Sequence, residues 1–219
     1  VHYHATPEDH AVLEKKGFLL VDSGATYMDG TTDITRTYPL GPLTEDEKRF
    51  YTWTLQSHID LAKAVWLDYC ECKMIDTIAR EPLWRHLINY RCGTGHSVSF
   101  VGNVHEGPHA LNSRNTTRMR PGMVVTDEPG VYETDLVGIR IENELVCVHK
   151  ADNQYGTFLG FEPLMFVPIA TSPILPGVLD QDEIAWLNDY HRQVFAKLAP
   201  HLNDEERSWL AEKCAAIGC

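Results

Sequence analysis

The stretch DSGATYMDGTTDIT, residues 22–35, carries an aspartate at each end of a run of small and turn-forming residues. Apolar residues 18–21 precede Asp22, and the β-branched and aromatic residues 34–38 follow Asp33. Asp29-Gly30 between them is a turn signal. The segment therefore predicts a β-hairpin with one aspartate on each arm. Because a carboxylate beside a buried strand costs free energy unless it is paired or binds a metal, we ask what both aspartates face.

The register of this hairpin decides whether its two aspartates meet. A two-residue turn at Asp29-Gly30 would pair Asp33 with Thr26, well away from Asp22. A hairpin centred on Tyr27-Met28 would place the aspartates opposite each other, and a β-bulge would have a similar effect. The sequence leaves these registers open.

Composition restricts the class of protein. The 219 residues are 43% hydrophobic and 23% charged, which predicts a globular protein of one large or two small domains. A net charge of −12 without a basic cluster argues against nucleic-acid binding. No apolar run is long enough to span a bilayer, so we predict no membrane partner. The cysteine spacing fits no zinc finger and indicates reduced thiols in a cytoplasmic protein.

The order of helix and strand patterns indicates an α+β fold. Thr44 and Glu47 form a capping box that begins a helix reaching to about residue 65. Residues 74–86 form a second helical pattern, which Pro82 could kink, and residues 182–198 and 204–215 form two more. Strand patterns lie between them without strict alternation, which favours an antiparallel or mixed sheet over a doubly wound one.

Five polar residues lie in or beside apolar strand-like segments and suggest a metal site. Carboxylates with one imidazole suit Mn²⁺, Co²⁺ or Zn²⁺, and acids crowded together without cations would repel one another. Two cations would neutralise them and could activate one shared water. Structural roles are the alternative: Asp33 could pair with Arg36 and Glu142 with Arg140, while Asp22 could cap. The five residues are Asp22, Asp33, His96, Glu128 and Glu142.

Four segments in order resemble the catalytic domain of aminopeptidase P, an Xaa-Pro aminopeptidase of the creatinase, prolidase and methionine aminopeptidase superfamily. They are DSGATYMDGTTDITRT (22–37), GTGHSVSFVGNVHEGP (93–108), PGMVVTDEPGVY (121–132) and GIRIEN (138–143). The resemblance implies the pita-bread fold over residues 1–170 and a C-terminal helical extension over 171–219, as in the three-domain form of the family. Since the chain opens without Met in a strand-like segment, we expect the N-terminal part of the domain to be missing.

The resemblance also assigns roles to the metal residues. It implies that Asp22 binds one metal, that Asp33 and Glu142 bridge both, and that His96 and Glu128 complete the other shell. It implies Mn²⁺ as the metal, with Zn²⁺ or Co²⁺ as alternatives. It also suggests a homodimer, formed through the C-terminal helices.

The implied reaction is release of the first residue from peptides with proline in second position. His2 and His105 match family histidines beside the substrate, and Glu128 is a candidate proton carrier. Cys92 replaces the first histidine of the family's His-Gly-Thr-Gly-His motif, and we place it with Arg140 at the substrate site. The alternatives are a prolidase restricted to dipeptides and a metal-free peptide-binding relative.

Overall fold

A computed structural model describes residues 5–218, so His2 lies outside the described residues. The strands are β1 (Phe18–Tyr27), β2 (Gly30–Pro39), β3 (Val65–Leu67), β4 (Gly95–Ser97), β5 (Glu106–Leu111), β6 (Val124–Asp127), β7 (Gly130–Glu133), β8 (Val137–Arg140), β9 (Asn143–Asn153) and β10 (Gly156–Pro163). The helices are α1 (Glu45–Ala62), α2 (Cys72–Trp84), α3 (Gln181–Leu198) and α4 (Asp204–Lys213). The α+β class predicted from the sequence is confirmed.

The β1–β2 hairpin adopts neither of the two registers considered from the sequence. Tyr27 pairs with Gly30, so the two-residue loop is Met28-Asp29, and Asp33 pairs with Gly24 without a bulge. The turn predicted at Asp29-Gly30 is therefore wrong by one residue, because Gly30, with φ of +148°, opens β2. Side chains two apart on a strand share a face, so Asp22 lies beside Gly24 as a diagonal neighbour of Asp33.

All strand pairs in the described part of the chain are antiparallel. Strands β3, β10, β9 and β6 form a four-stranded sheet in that order, and β1–β2, β4–β5 and β7–β8 form three two-stranded ladders. One apolar core packs this sheet against α1 and α2, with Leu61, Ile75, Val125 and Leu145 fully or almost fully buried. This core holds β6 and β9 rigidly. Glu128 directly follows β6, and Glu142 directly precedes β9.

The helices begin at the signals read from the sequence. The Thr44–Glu47 capping box is present at the start of α1, and Asp180 and Asn203 cap α3 and α4 in the same manner. Pro82 lies inside α2. Among the described residues, no helix combines the length and apolar character that crossing a membrane requires.

A second apolar core joins the C-terminal helices to the rest of the chain. Tyr51 and Leu55 of α1 pack in one cluster with Ile139 of β8 and Leu187 of α3. Trp186 and Tyr190 stack with ring centroids 5.4 Å apart on the same helix. Strand β8, which precedes Glu142, is therefore supported from both α1 and α3.

Candidate metal centre

Asp33, His96 and Glu142 form a cluster with metal-ligand character. One ligand atom from each residue lies within 4.8 Å of the others. Asp33 comes from the buried face of β2, His96 from β4, and Glu142 from the segment between β8 and β9. Strand packing thus brings together three residues that are spread over more than a hundred positions of the chain.

Asp22 and Glu128 line the same cavity, of about 400 Å³, beside this cluster. Glu128 Oε1 lies 3.2 Å from His96 Nε2, and His96 Nε2 lies 3.5 Å from Asp33 Oδ2. Asp22 Oδ2 instead accepts a hydrogen bond from Arg140 at 2.5 Å. The structure therefore brings all five predicted residues to one cavity, three of them within ligand distance of one another.

The acids of the cluster are held in an unfavourable environment for negative charge. Burial, with the Asp22 carboxylate as the second cause, raises the pKa of Asp33 to about 6. Burial, together with Glu128 and Asp33, raises the pKa of Glu142 to about 9. Burial lowers the pKa of His96, but Glu128, the Ser97 backbone and Asp33 together outweigh burial, so the pKa is raised. The protein alone thus leaves these acids short of positive charge.

The donor set fits divalent cations. Carboxylate oxygens and one imidazole nitrogen are the ligands preferred by hard and borderline ions such as Mn²⁺ and Zn²⁺. Glu142 is 1% exposed and Asp33 is 8% exposed, so water cannot supply the missing stabilisation. Bound cations would remove the repulsion that raises both carboxylate pKa values. The residues present therefore fit a metal centre.

His105 and Cys92 lie on the wall of the same cavity. The ring of His105 lies 3.7 Å, centroid to centroid, from that of His96, and burial with the neighbouring His96 charge lowers its pKa. Cys92 is an exposed residue with a free thiol, and partial desolvation of the sulfur together with Glu128 raises the pKa of that thiol. A neutral imidazole and a neutral thiol therefore face the space beside the acids.

The structure adds residues that sequence reasoning missed. Thr35 donates to Glu142 at 2.6 Å and accepts from Arg140 at 3.0 Å. Tyr132 accepts from Arg140 at 2.7 Å, and Thr126 donates to Glu128 at 3.1 Å. Thr35 lies two residues after Asp33, so the two-residue strand period was a signal that could have found it.

A further buried acid near the cluster also escaped sequence reasoning. Glu144 is 5% exposed, and burial raises its pKa to about 7. It accepts a hydrogen bond from the Asp33 backbone, so it supports β2 next to the ligand cluster. Its position directly before the apolar residues 145–148 of β9 gave the same kind of signal as the five predicted residues.

Comparison with known proteins decides the family. The model of metallopeptidase family M24 matches residues 1–149, and the model of the C-terminal region of peptidase M24 matches residues 157–217. The chain belongs to metallopeptidase family M24. A "Probable Xaa-Pro aminopeptidase P" of Coprinopsis cinerea is 40% identical over 99% of the chain, and "Aminopeptidase P2" of Arabidopsis thaliana is 42% identical over 96%. The chain covers 36% and 30% of these relatives, about a third of their length.

Solved structures of M24 members establish the fold. An X-prolyl aminopeptidase from Caenorhabditis elegans, described as a cytosolic enzyme with a di-nuclear active site, matches with a TM-score of 0.87. It is 39% identical, and the match covers 91% of this M24 chain and 34% of that one. A prolidase from Pyrococcus furiosus matches with a TM-score of 0.59 at 28% identity, over 68% of this chain and 41% of that one. The predicted pita-bread fold is confirmed.

Proposed function

We propose that this M24 chain is the catalytic part of a metal-dependent aminopeptidase that releases the first residue from peptides with proline in second position. The observation that carries the proposal is the convergence of Asp33, His96 and Glu142 within 4.8 Å. It occurs in a chain about 40% identical, over almost its whole length, to proteins described as aminopeptidases P.

Five residues would hold two divalent cations: Asp22, Asp33, His96, Glu128 and Glu142. When bound, such cations supply Lewis acidity and lower the pKa of a nearby water molecule towards neutrality. We propose Mn²⁺, because four of the five donors are carboxylates, with Zn²⁺ and Co²⁺ as the alternatives. Asp22 would have to leave Arg140 or share its carboxylate, since one of its oxygens accepts from that guanidinium.

His105 is suited to assist the carbonyl group of the scissile bond. Its lowered pKa keeps the imidazole neutral at pH 7, so one ring nitrogen carries a proton that can be donated to an oxygen. Its ring lies against that of His96, which places it beside the ligand cluster. A donor fixed at the site of developing negative charge lowers the barrier to attack on the carbonyl carbon.

Glu128 is suited to move a proton from the attacking water to the departing proline nitrogen. Thr126 donates to its Oε1, which fixes the carboxylate in the cavity. Arg140 Nε lies 3.7 Å from Oε2, so the second carboxylate oxygen is also held in place. Transfer of that proton to the nitrogen completes cleavage of the peptide bond.

Cys92 and Arg140 are the residues that we propose for the substrate site. Cys92 is exposed on the cavity wall, where the side chain of a bound peptide can reach it. Arg140 is buried and bonded to Asp22, Tyr132 and Thr35, so we propose that it acts on substrate through Asp22 and Tyr132. The role predicted for His2 stays a prediction.

The decisive experiment strips the protein of metal and measures hydrolysis of an Xaa-Pro-Pro peptide with Mn²⁺, Zn²⁺ or Co²⁺ restored. We expect release of the first residue only with metal, and its loss in Asp33→Ala and Glu142→Ala. Asp29→Ala is the matched control, because Asp29 is exposed in the turn of the same hairpin. No release with any metal, while metal analysis still finds bound ions, would overturn the proline-specific substrate. No release and no bound metal would favour a peptide-binding module.

A dipeptide-restricted prolidase is the nearest alternative, since prolidases also match the structure. The aminopeptidase match extends over 91% of this chain against 68% for the prolidase, and its TM-score is higher. We therefore expect tri- and longer Xaa-Pro peptides to be hydrolysed at least as fast as Xaa-Pro dipeptides. A rate confined to dipeptides would favour the prolidase.

We also propose that the protein works in the cytoplasm as a homodimer that joins through its C-terminal helices. The support is the family resemblance, the free thiols, and Trp209 of α4, which is 55% exposed. Light scattering on wild type and Trp209→Glu tests the dimer. A monomer in both proteins would refute it.

A further inference from the structure

The metal cavity and a second cavity share a thin wall. The second cavity, of about 720 Å³, and the metal cavity are both lined by Cys92, Gly93 and Asn112. Cys92 and Gly93 are exposed, so no apolar packing holds this part of the backbone in place. The same segment, residues 90–95, leads directly into the ligand His96 on β4. The contacts that fix Cys92 and Gly93 are therefore polar, whereas Tyr90 at the start of the segment packs in an apolar cluster.

Arg80 of α2 supplies those contacts on one side. Its guanidinium donates to the backbone oxygen of Tyr90 at 2.8 Å and to that of Cys92 at 2.9 Å. It also donates to Asn89 Oδ1 at 3.2 Å and lies 4.2 Å above the Tyr90 ring. A planar fork with several donors can hold successive carbonyl groups in this way, whereas a lysine ammonium cannot reproduce it.

Asp76 connects the same arginine to the centre of the segment. Its Oδ2 accepts from Arg80 Nε at 2.8 Å, and its Oδ1 accepts from Thr94 Oγ1 at 2.5 Å. Thr94 Oγ1 in turn accepts a hydrogen bond from the Tyr90 hydroxyl at 2.5 Å. All four side chains are at least nine-tenths buried. We call Asp76, Arg80, Tyr90 and Thr94 the α2 clamp.

On the far side of the segment, the hydrogen bonds of the clamp lead to two of the proposed metal ligands, His96 and Glu128. The backbone oxygen of Thr94 accepts from the N–H of Glu128 at 2.8 Å. The backbone N–H of His96 donates to Thr126 Oγ1 at 3.0 Å, and the same hydroxyl donates to the Glu128 carboxylate. Gly95 lets β4 approach β6, because a Cβ at this position would lie 1.8 Å from the backbone oxygen of Thr126. A shift of the segment would therefore move His96 and Glu128 together.

We propose that the α2 clamp is a set of positioning residues for the metal centre, which holds residues 90–95 so that His96 and Glu128 keep their mutual geometry. The inference rests on the proposed metal-dependent function. Supports of this kind change metal affinity by about 10- to 100-fold when they are lost. Ordinary core residues would change stability and leave the affinity of the folded protein unaltered.

The test compares Arg80→Lys with Arg85→Lys in the whole protein. Lysine keeps a cation beside Asp76 but loses the fork on the Tyr90 and Cys92 oxygens. Arg85 lies at the end of the same helix, is exposed, and pairs with Glu81, which makes it a matched control. Mn²⁺ and Zn²⁺ affinity is measured by calorimetry. The rate of Cys92 alkylation, followed by peptide mass spectrometry, is measured without metal.

We expect Arg80→Lys to weaken metal binding by about 10- to 100-fold and to accelerate Cys92 alkylation severalfold, with neither change in Arg85→Lys. Metal affinity and alkylation both within about twofold of wild type would overturn the inference, even if the melting temperature falls. Should Arg80→Lys not fold, Tyr90→Phe decides by the same two readouts, because it keeps the ring under Arg80 and removes only the hydroxyl on Thr94. Both readouts are independent of peptide cleavage, so a wild type that binds metal but cleaves no peptide would refute the proposed activity and not this inference, whereas a wild type that binds no metal would refute both.

Discussion

Two buried arginines lie on either side of Thr35 in very different surroundings. Arg36, 4% exposed, donates to the backbone oxygens of Pro168, Val167 and Glu142 and to Asn143 and Tyr190, and no described acid pairs with it. Arg140, 7% exposed, contacts the carboxylates of Asp22 and Glu128. One charge is stabilised by neutral dipoles, while the other lies among more acids than it can neutralise.

The difference separates a structural charge from a site that needs a ligand. Each nitrogen of the Arg36 guanidinium donates to an oxygen, so its hydrogen bonds are satisfied without any ligand. Around Arg140 the pKa values of Asp33 and Glu142 remain raised to about 6 and about 9, although a cation is already present. Unrelieved repulsion among buried acids is a physical signature of a functional centre.

Glu142→Gln should abolish metal-dependent activity. Glutamine keeps an oxygen that can accept the Thr35 hydrogen bond but cannot carry the negative charge that a cation needs. Because bound cations would lower the activation barrier by several kcal/mol, we expect kcat/KM to fall by at least about a thousandfold without them. The free energy of unfolding without metal should hardly change, since Glu142 with a pKa of about 9 is already protonated at pH 7.

Glu162→Gln is the control for this variant, because Glu162 is an exposed glutamate on β10. Calorimetric titration with metal and urea unfolding of the metal-free protein provide the two readings. A metal-free Glu142→Gln protein that loses several kcal/mol would contradict the protonated state of Glu142.

Arg36→Met should destabilise the protein by at least about 3 kcal/mol, because several buried oxygens lose their donor at once. The loss should be the same with and without metal, since Arg36 belongs to the region that needs no ligand. Arg140→Met should lose stability chiefly in the metal-free protein, where it removes the cation nearest the acids. Urea unfolding with EDTA and with Mn²⁺ measures both. Rescue of Arg36→Met by metal would remove the distinction between the two arginines.

The metal-free protein should become less stable as pH rises. Asp33 and Glu142 have folded pKa values of about 6 and about 9, above their ordinary values of 3.8 and 4.5. The folded state therefore binds more protons between about pH 4 and 9, so its free energy of unfolding falls with rising pH. One such group contributes at most about 1.4 kcal/mol per pH unit.

The slope above pH 6 belongs mainly to Glu142 and to Glu144, whose pKa is about 7. Denaturation of wild type and Glu142→Gln in EDTA at pH 5, 6, 7 and 8 isolates the Glu142 part by difference. Equal slopes in the two proteins would show that Glu142 ionises normally. Added Mn²⁺ should reverse the trend in wild type, because cations bind the ionised carboxylates.

Sequence reasoning reached the class of fold because helix caps and strand patterns are local. Thr44 and Glu47 form the predicted capping box, and α1 begins where they predict. The hairpin turn was misplaced, because Asp29-Gly30 also suits a loop of Met28-Asp29 followed by Gly30 at positive φ. Local propensity does not distinguish these registers, and packing of the Asp33 face against the core selects one of them.

Sequence reasoning found the acids of the site but not their partners. Asp33 and Glu142 stand out as charges within apolar strands, a signal that needs no structure. Thr35, Tyr132 and Thr126 do not stand out, since hydroxyl residues in strands are common. The contact of Thr35 with Glu142 also joins residues far apart in the chain. The burial of the Asp76–Arg80 pair was not predicted either, because an acid and a base four residues apart on a helix usually form a surface pair.

Cys92→His should have the smallest effect on kcat/KM of these variants. The thiol lies on the cavity wall, and its raised pKa keeps it uncharged at pH 7, so it contributes no charge to the acidic region. A histidine there adds a donor that can be protonated near the peptide. We expect kcat/KM for Xaa-Pro peptides to change by no more than about tenfold, the scale of one hydrogen bond, and metal affinity to stay unaltered. Cys92→Ser, which is neutral and of similar size, should behave as wild type. If Cys92→Ser instead weakened metal binding as strongly as Glu142→Gln, the thiol would belong to the ligand set, and the boundary drawn between the acidic cluster and the substrate wall would be wrong.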